Sequence, residues 1–202
     1  MALIITCAPH APAATATAAP VAVVKATLAE ATTVYQNQKL PNAERTRQLH
    51  AIAAEHFDFA FMARDSLGIQ WRRITPAQRK AFVPIFTNYV IDTFLGTLQH
   101  STVEAVSHSV MGSATTTSPG YAEVHSTVKL PMLDQPLKVD YSLHHENGVW
   151  KIVDIFIDNV SQMGNYRRDF NAIVNKDGYA KLVTDLKNKN IPLRSPAQGS
   201  AS

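Results

Sequence analysis

The stretch Val149–Phe170, VWKIVDIFIDNVSQMGNYRRDF, decides how the rest of the chain is read. It joins a nearly all-apolar strand to a short turn, and then to a helix carrying Tyr166, Arg167, Arg168 and Phe170. A strand apolar on both faces needs apolar cover on each side, and we expect one of these faces to line an internal apolar cavity. Strict alternation places Asp154 with Trp150, Ile152 and Phe156 on the face expected to form the cavity wall. Val149, Val153, Ile155 and Ile157 take the outer face, against a returning helix or the chain termini. The turn from Asn159 to Gly164 then forms the rim.

Upstream of this stretch, hydrophobicity repeats with a period of two. Ala122, Val124, Ser126, Val128 and Leu130 oppose Glu123, His125, Thr127 and Lys129. Leu137, Val139, Tyr141 and Leu143 oppose Lys138, Asp140, Ser142 and His144. Asn147-Gly148 predicts a type I′ hairpin turn, and Ser118-Pro119-Gly120 and Asp134-Gln135-Pro136 supply two more. Residues 102–158 therefore read as a four-strand antiparallel meander with one apolar and one wet face.

The remaining segments have helical period. Val24, Leu28, Ala31 and Tyr35 share one face of a first helix over 21–35. Asn42 is the expected cap of a second helix that ends at His56, and Asp58 the expected cap of a short third one ending at Gly68. Thr75-Pro76-Ala77-Gln78 is a capping box with proline at the first helical position. It opens a helix with Phe82, Ile85, Phe86, Tyr89, Val90, Phe94 and Leu98 in one stripe, and Pro84 predicts a kink inside it. After the sheet, Tyr166, Phe170, Ile173 and Val174 form a stripe, and Asp177 is expected to cap a last helix carrying Leu182, Val183 and Leu186. The expected fold is α+β: a curved antiparallel four-strand meander packed against N-terminal and C-terminal helices.

Composition narrows the function classes. The net charge of +3 is spread along the chain with no block of five or six like charges, which disfavours a nucleic-acid partner. The doublets Arg72-Arg73 and Arg167-Arg168 read as solvated helix-end charges or as phosphate contacts. Cys7 is the sole cysteine, so no disulfide forms within the chain. Residues 1–20 have a short apolar run followed by Ala-x-Ala sites, which reads as the remnant of a secretory signal peptide or a disordered leader, with export favoured. Residues 21–189 make one domain, and 190–202 a polar, disordered tail.

No phosphate loop, H-E-x-x-H or G-x-S-x-G motif occurs. His144 and His145 are adjacent on a strand and point to opposite faces, so they cannot share an ion. His125 and His144 fall on the wet faces of neighbouring strands, where solvated histidines are the ordinary case. No metal and no cofactor is expected. Asp154 is the carboxylate in unexpectedly apolar company. It is either a hydrogen-bonded structural group or, with its pKa raised by burial, an acid/base in a cone-shaped α+β enzyme of the isomerase or dehydratase kind.

Phe57-Asp58-Phe59, Met62-Ala63-Arg64, Leu67-Gly68, Trp71, Thr75-Pro76-x-Gln78, Val139-Asp140-Tyr141, Trp150-Lys151-Ile152-Val153-Asp154, Val160-Ser161, Asn165-Tyr166-Arg167 and Phe170 occur in an order that resembles the MlaC/toluene-tolerance family of periplasmic phospholipid carriers. A related branch, HpnM, is associated with hopanoid lipids. The resemblance spans 57–190 and departs from the family pattern at Gln162-Met163-Gly164. It implies a cystatin- or nuclear-transport-factor-like fold and a phospholipid, or a hopanoid-type lipid, with its acyl chains inside. It also implies a non-enzymatic, periplasmic, monomeric carrier. Such a carrier exchanges lipid with an inner-membrane Mla-type transporter complex and an outer-membrane lipoprotein complex. The lining residues implied are Tyr89, Phe94, Val124, Val128, Val139, Tyr141, Leu143, Ile152, Phe156, Met163, Tyr166 and Phe170, with Arg167 or Arg168 meeting the headgroup.

Overall fold

The computed structural model describes residues 14–99, 107–129 and 134–191. The first residues of the expected leader, the opening of the expected meander (102–106), Leu130, the side chain of Leu98 and the end of the tail from 192 lie outside the described residues. Helices α1 (Ala14–Gln36), α2 (Asn42–His56), α3 (Phe59–Leu67), α4 (Gln70–Arg73) and α5 (Pro76–Gln99) precede the sheet. Strands β1 (Ser107–Ser118), β2 (Tyr121–Lys129), β3 (Leu137–Glu146), β4 (Val149–Ile157) and β5 (Val160–Ser161) follow, then helices α6 (Gln162–Asp177) and α7 (Tyr179–Lys187).

The strands pair antiparallel in chain order, so the sheet is a curled meander of five strands rather than four. The fifth strand exists because Asp158 and Asn159 both take positive φ, 48° and 66°. Two such residues make the tight turn that folds Val160 back onto Ile157. Asn147 and Gly148, at φ 52° and 83°, make the expected type I′ turn between β3 and β4. The other end of β4 is covered by Phe57, which bridges Ile152, and by the Asp58 N–H, which donates to the Ile152 carbonyl at 3.0 Å. The exposed edge of β4 is therefore capped at both ends.

Several helix boundaries differ from expectation for identifiable reasons. α1 begins at Ala14 and carries Pro20 in its interior, so the helix overlaps the segment read as leader. Pro41, not Asn42, occupies the cap position of α2, and the Asn42 carboxamide instead accepts from Arg45. Asp177 ends α6, and Gly178 at φ 86° turns the chain into α7. α4, a single turn, was hidden by its length. The Thr75–Gln78 capping box forms reciprocally, at 2.8 and 3.2 Å. Pro84 lies inside α5, which continues to Gln99.

The core divides into two apolar clusters. One is helical, built from α2, α3, α5, α6 and α7, with Phe82, Phe86, Phe170, Leu67 and Leu182 fully buried. The other lies between the apolar face of the sheet and α1, where Val21, Val24 and Leu28 pack on the strands. Phe57 touches both.

Candidate functional site

The face of β4 was misassigned by alternation, and a bulge is the cause. Ser142 pairs with Asp154, but the next residue of β3, Leu143, pairs with Ile152. Val153 is therefore the extra residue of a β-bulge. Directly paired residues share a face, so Ile152 stays with Leu143 on the apolar face. Past the bulge that face belongs to Ile155 and Ile157, opposite Tyr141 and Val139. Asp154 and Phe156 pair with Ser142 and Asp140 on the other face. Asp154 does not share a wall with Ile152.

The predicted lining residues thus separate into groups. Val124, Val128, Val139, Tyr141, Leu143 and Ile152 are buried together on the apolar sheet face, under α1. Tyr89, Met163 and Phe170 are buried in the helical cluster, with Tyr166 packed against them. The Phe170 ring meets Phe82, Phe86 and Tyr89 with centroids 6.3–6.5 Å apart. Phe156 is half-buried on the opposite sheet face. Phe94 is 53% exposed, because the buried line of α5 moves to Ile91 and Leu95 at that point. The first helix, whose Val21 and Val24 close the apolar face, was not foreseen as a wall. Its Val24–Leu28 spacing was the available signal.

Two polar groups sit within that apolar face. The Ser126 hydroxyl donates to the Val139 carbonyl at 2.5 Å. Burial pushes the Tyr141 phenol up to about 12, with its Ser126 hydrogen bond opposing the shift. Tyr141 is therefore a neutral donor at any physiological pH. Burial likewise raises Tyr166 and Tyr89.

Asp154 is a structural cap. Its Oδ1 accepts from the backbone N–H of Ile155 at 2.7 Å and of Met163 at 3.1 Å, and its Oδ2 accepts from the Ser161 hydroxyl at 2.5 Å. Ser161 Oγ in turn accepts from the Gly164 N–H at 2.8 Å, capping α6. A Cβ on Gly164 would stand 3.1 Å from that Oγ, which explains a small residue at this point of the sequence. Burial raises the Asp154 pKa, and the Ser161 and backbone hydrogen bonds oppose the shift. With both oxygens committed to positioning α6, the geometry gives no support to an acid/base role.

Two charged residues keep the face that alternation assigns them, but that face is covered there. Asp140 and His144, expected on the wet face, are each only 6% exposed. Asp140 is flanked by Lys138 at 3.0 Å and His125 at 3.2 Å. His144 meets Asp58 at 2.9 Å and packs against Phe61 and Tyr121. Asp58, His144 and Glu146 bring ligand-type atoms within 4.8 Å of one another, as do Glu30, Glu55 and His56. In both groups the imidazole already holds a carboxylate by a hydrogen bond, which accounts for the grouping without an ion.

Of the two arginines proposed for a headgroup, Arg167 pairs with the Asp65 carboxylate and donates from Nε to the Asp65 carbonyl at 3.0 Å. It clamps α6 to α3, and Asp65 pairs with it rather than with Arg64, whose guanidinium lies over the Phe61 ring. Arg168 stays on the surface beside Asn165 and Asp169.

The model of the MlaC protein family matches residues 23–188, nearly the whole described fold. The chain belongs to the MlaC family. Among seven solved chains that match, one is described as the phospholipid-binding protein from Ralstonia solanacearum in complex with a phospholipid. It is 23% identical, with a TM-score of 0.73, and the match covers 85% of this chain and 96% of that one. At that identity the likeness shows a common fold. No curated protein matches the chain. The MlaC match begins inside α1, so the helix that closes the apolar sheet face lies largely within the family's span.

Proposed function

We propose that the protein is a periplasmic lipid carrier that holds the acyl chains of a phospholipid, or of a hopanoid-type lipid, against the apolar face of its sheet. The observation that carries this reading is the cluster of Val124, Val128, Val139, Tyr141, Leu143 and Ile152 beneath Val21 and Val24, in a chain of the MlaC family. The phospholipid complex of the Ralstonia protein, which has the same fold, supports it. On this reading α1, which covers the face with small aliphatic side chains, is the wall that gives way, and acyl chains enter between helix and strands.

The physical task is to keep hydrocarbon out of water during transfer. Each methylene exposed costs about 0.8 kcal/mol, so two long chains represent roughly 20 kcal/mol or more. An apolar wall close in free energy to a bilayer interior removes that penalty without trapping the lipid. The carrier has no energy source of its own, so its partners are an inner-membrane Mla-type transporter complex and an outer-membrane lipoprotein complex. Among the described residues no helix is long and apolar enough to cross a membrane.

Native mass spectrometry of protein purified from a bacterial host tests the reading. The expected spectrum contains the protein with one lipid mass, removable by delipidation and restored by added phospholipid or hopanoid. A protein that emerges empty and refuses both lipids overturns it.

A further inference from the structure

Residues 64–80 carry five basic side chains against the single acid Asp65, a net +4, whereas the whole chain carries +3. That one acid is already paired with Arg167. Among the described residues, no carboxylate pairs with Arg72, Arg73, Arg79 or Lys80. Among the described residues, the local excess of positive charge at the α4 corner is therefore left without ion-pair partners.

The same corner presents the most exposed large apolar side chain of the described residues, Ile69, at 60%. Ile69 precedes α4, and the Arg72 N–H donates to its carbonyl at 3.2 Å, so the helical turn begins there. Residues three and four apart on a helix are neighbours. Ile69 thus lies on the same side of this turn as Arg72 and Arg73, both of which are exposed. The corner is rigidly mounted: Arg79 Nε donates to the Trp71 carbonyl at 2.8 Å and its guanidinium stands 5.7 Å from the Trp71 ring. Gln70 is buried and donates to Asn175 of α6 at 2.9 Å.

We propose that this corner docks on the surface of an anionic phospholipid bilayer, with Ile69 entering the headgroup boundary and Arg72 and Arg73 on the lipid phosphates. An apolar tip ringed by cations is the pattern that combines hydrophobic insertion with attraction to acidic lipid. Guanidinium forks suit phosphate oxygens. A purely polar acidic partner has no use for Ile69. The inference is separate from the cargo question, because none of these residues contributes to the apolar sheet face.

Vesicle flotation of the full chain tests it, with phosphatidylcholine vesicles that contain or lack phosphatidylglycerol. Binding is expected only with phosphatidylglycerol present, falling as salt rises. Each arginine contributes about fivefold at such a surface, so Arg72→Gln with Arg73→Gln weakens binding about twenty-five-fold. Ile69→Ser weakens it by up to about tenfold while leaving the salt dependence in place. Equal binding to both vesicle types, no binding to either, or a double variant that floats as the parent does overturns the proposal. So does salt-sensitive binding to an acidic protein of the membrane complexes without binding to lipid-only vesicles. Bound lipid is measured by native mass spectrometry on the same variants, and unchanged occupancy separates loss of docking from loss of carriage. Unchanged thermal unfolding of these surface variants excludes misfolding.

Discussion

The Nε2 of His144 and the Oδ2 of Asp58 lie 2.9 Å apart, joining the middle of the sheet to the start of α3 across 86 positions of sequence. The other oxygen of Asp58 accepts the Phe61 N–H at 2.8 Å and so caps that helix. One carboxylate therefore fixes a helix end and its distance from β3. Asp58→Ala removes both bonds and leaves a buried imidazole without its acceptor, and it is expected to cost about 2–4 kcal/mol. His144→Ala costs less than the aspartate change, because the cap survives. Urea titration of both single variants and the double variant gives the pair's coupling, expected at about 1 kcal/mol. Strict additivity would remove the claim that the two side chains act together.

Asp154 gives a pH signature. Its pKa is raised in the folded protein by burial, so the folded state holds that proton more tightly than the unfolded one. The corresponding stability is present below the ordinary value of 3.8 and is lost as pH climbs through the folded value. Asp154→Asn keeps an oxygen for the Ile155 and Met163 N–H groups and abolishes this slope. Its stability at neutral pH stays within about 1 kcal/mol of the parent, and its lipid occupancy is unchanged. Asp154→Ala strands those donors and costs about 2–3 kcal/mol. Thermal unfolding measured from acid to neutral pH separates the variants.

Gly164→Ala tests the tightness of the α6 cap. In an ordinary helix the change is favourable by nearly 1 kcal/mol. Here the new methyl group meets Ser161 Oγ at 3.1 Å, and that oxygen is held by both Asp154 and the Gly164 N–H. We expect a net loss of about 1 kcal/mol in denaturant titration. A stabilised variant would show that Ser161 moves aside freely.

The division of the core predicts a division of phenotypes. Phe170→Ala, in the helical cluster, should cost about 3–5 kcal/mol and leave lipid occupancy intact in the molecules that remain folded. Val139→Gln on the sheet face, where acyl chains are proposed to lie, should reduce lipid occupancy in native mass spectra more than it reduces stability. The reverse pattern would place the lipid among the helices.

Much of this architecture was legible in local chemistry. Thr75 and Gln78 announce their reciprocal cap, Asn147-Gly148 its turn, and the alternation of β2 its buried face, because each is settled within a few residues. The bulge at Val153 was not legible. It arises from how β4 registers against Leu143 of a different strand, and one unpaired residue reverses every assignment beyond it. Burial of Asp140 and His144 escaped for a related reason: the partners that make it tolerable, His125 and Asp58, come from elsewhere in the chain. Phe94 continues the α5 stripe in sequence but not in space. The apolar faces of β2 and β3 were read correctly, whereas that of β4 was not, and the helical aromatics grouped with the sheet belong to a separate cluster.

On the proposed function, that separation has a consequence for the molecule without its lipid. The helical cluster is filled by its own aromatic rings, Phe82, Phe86 and Phe170 among them, and owes nothing to a visitor. The seam between α1 and the strands is, on that proposed function, the part that an acyl chain would fill. An emptied protein should therefore slacken on one flank alone. Its amides in α1 and β2 should exchange with solvent sooner, while those of α5 and α6 keep their protection, like a clasp that opens on a rigid frame.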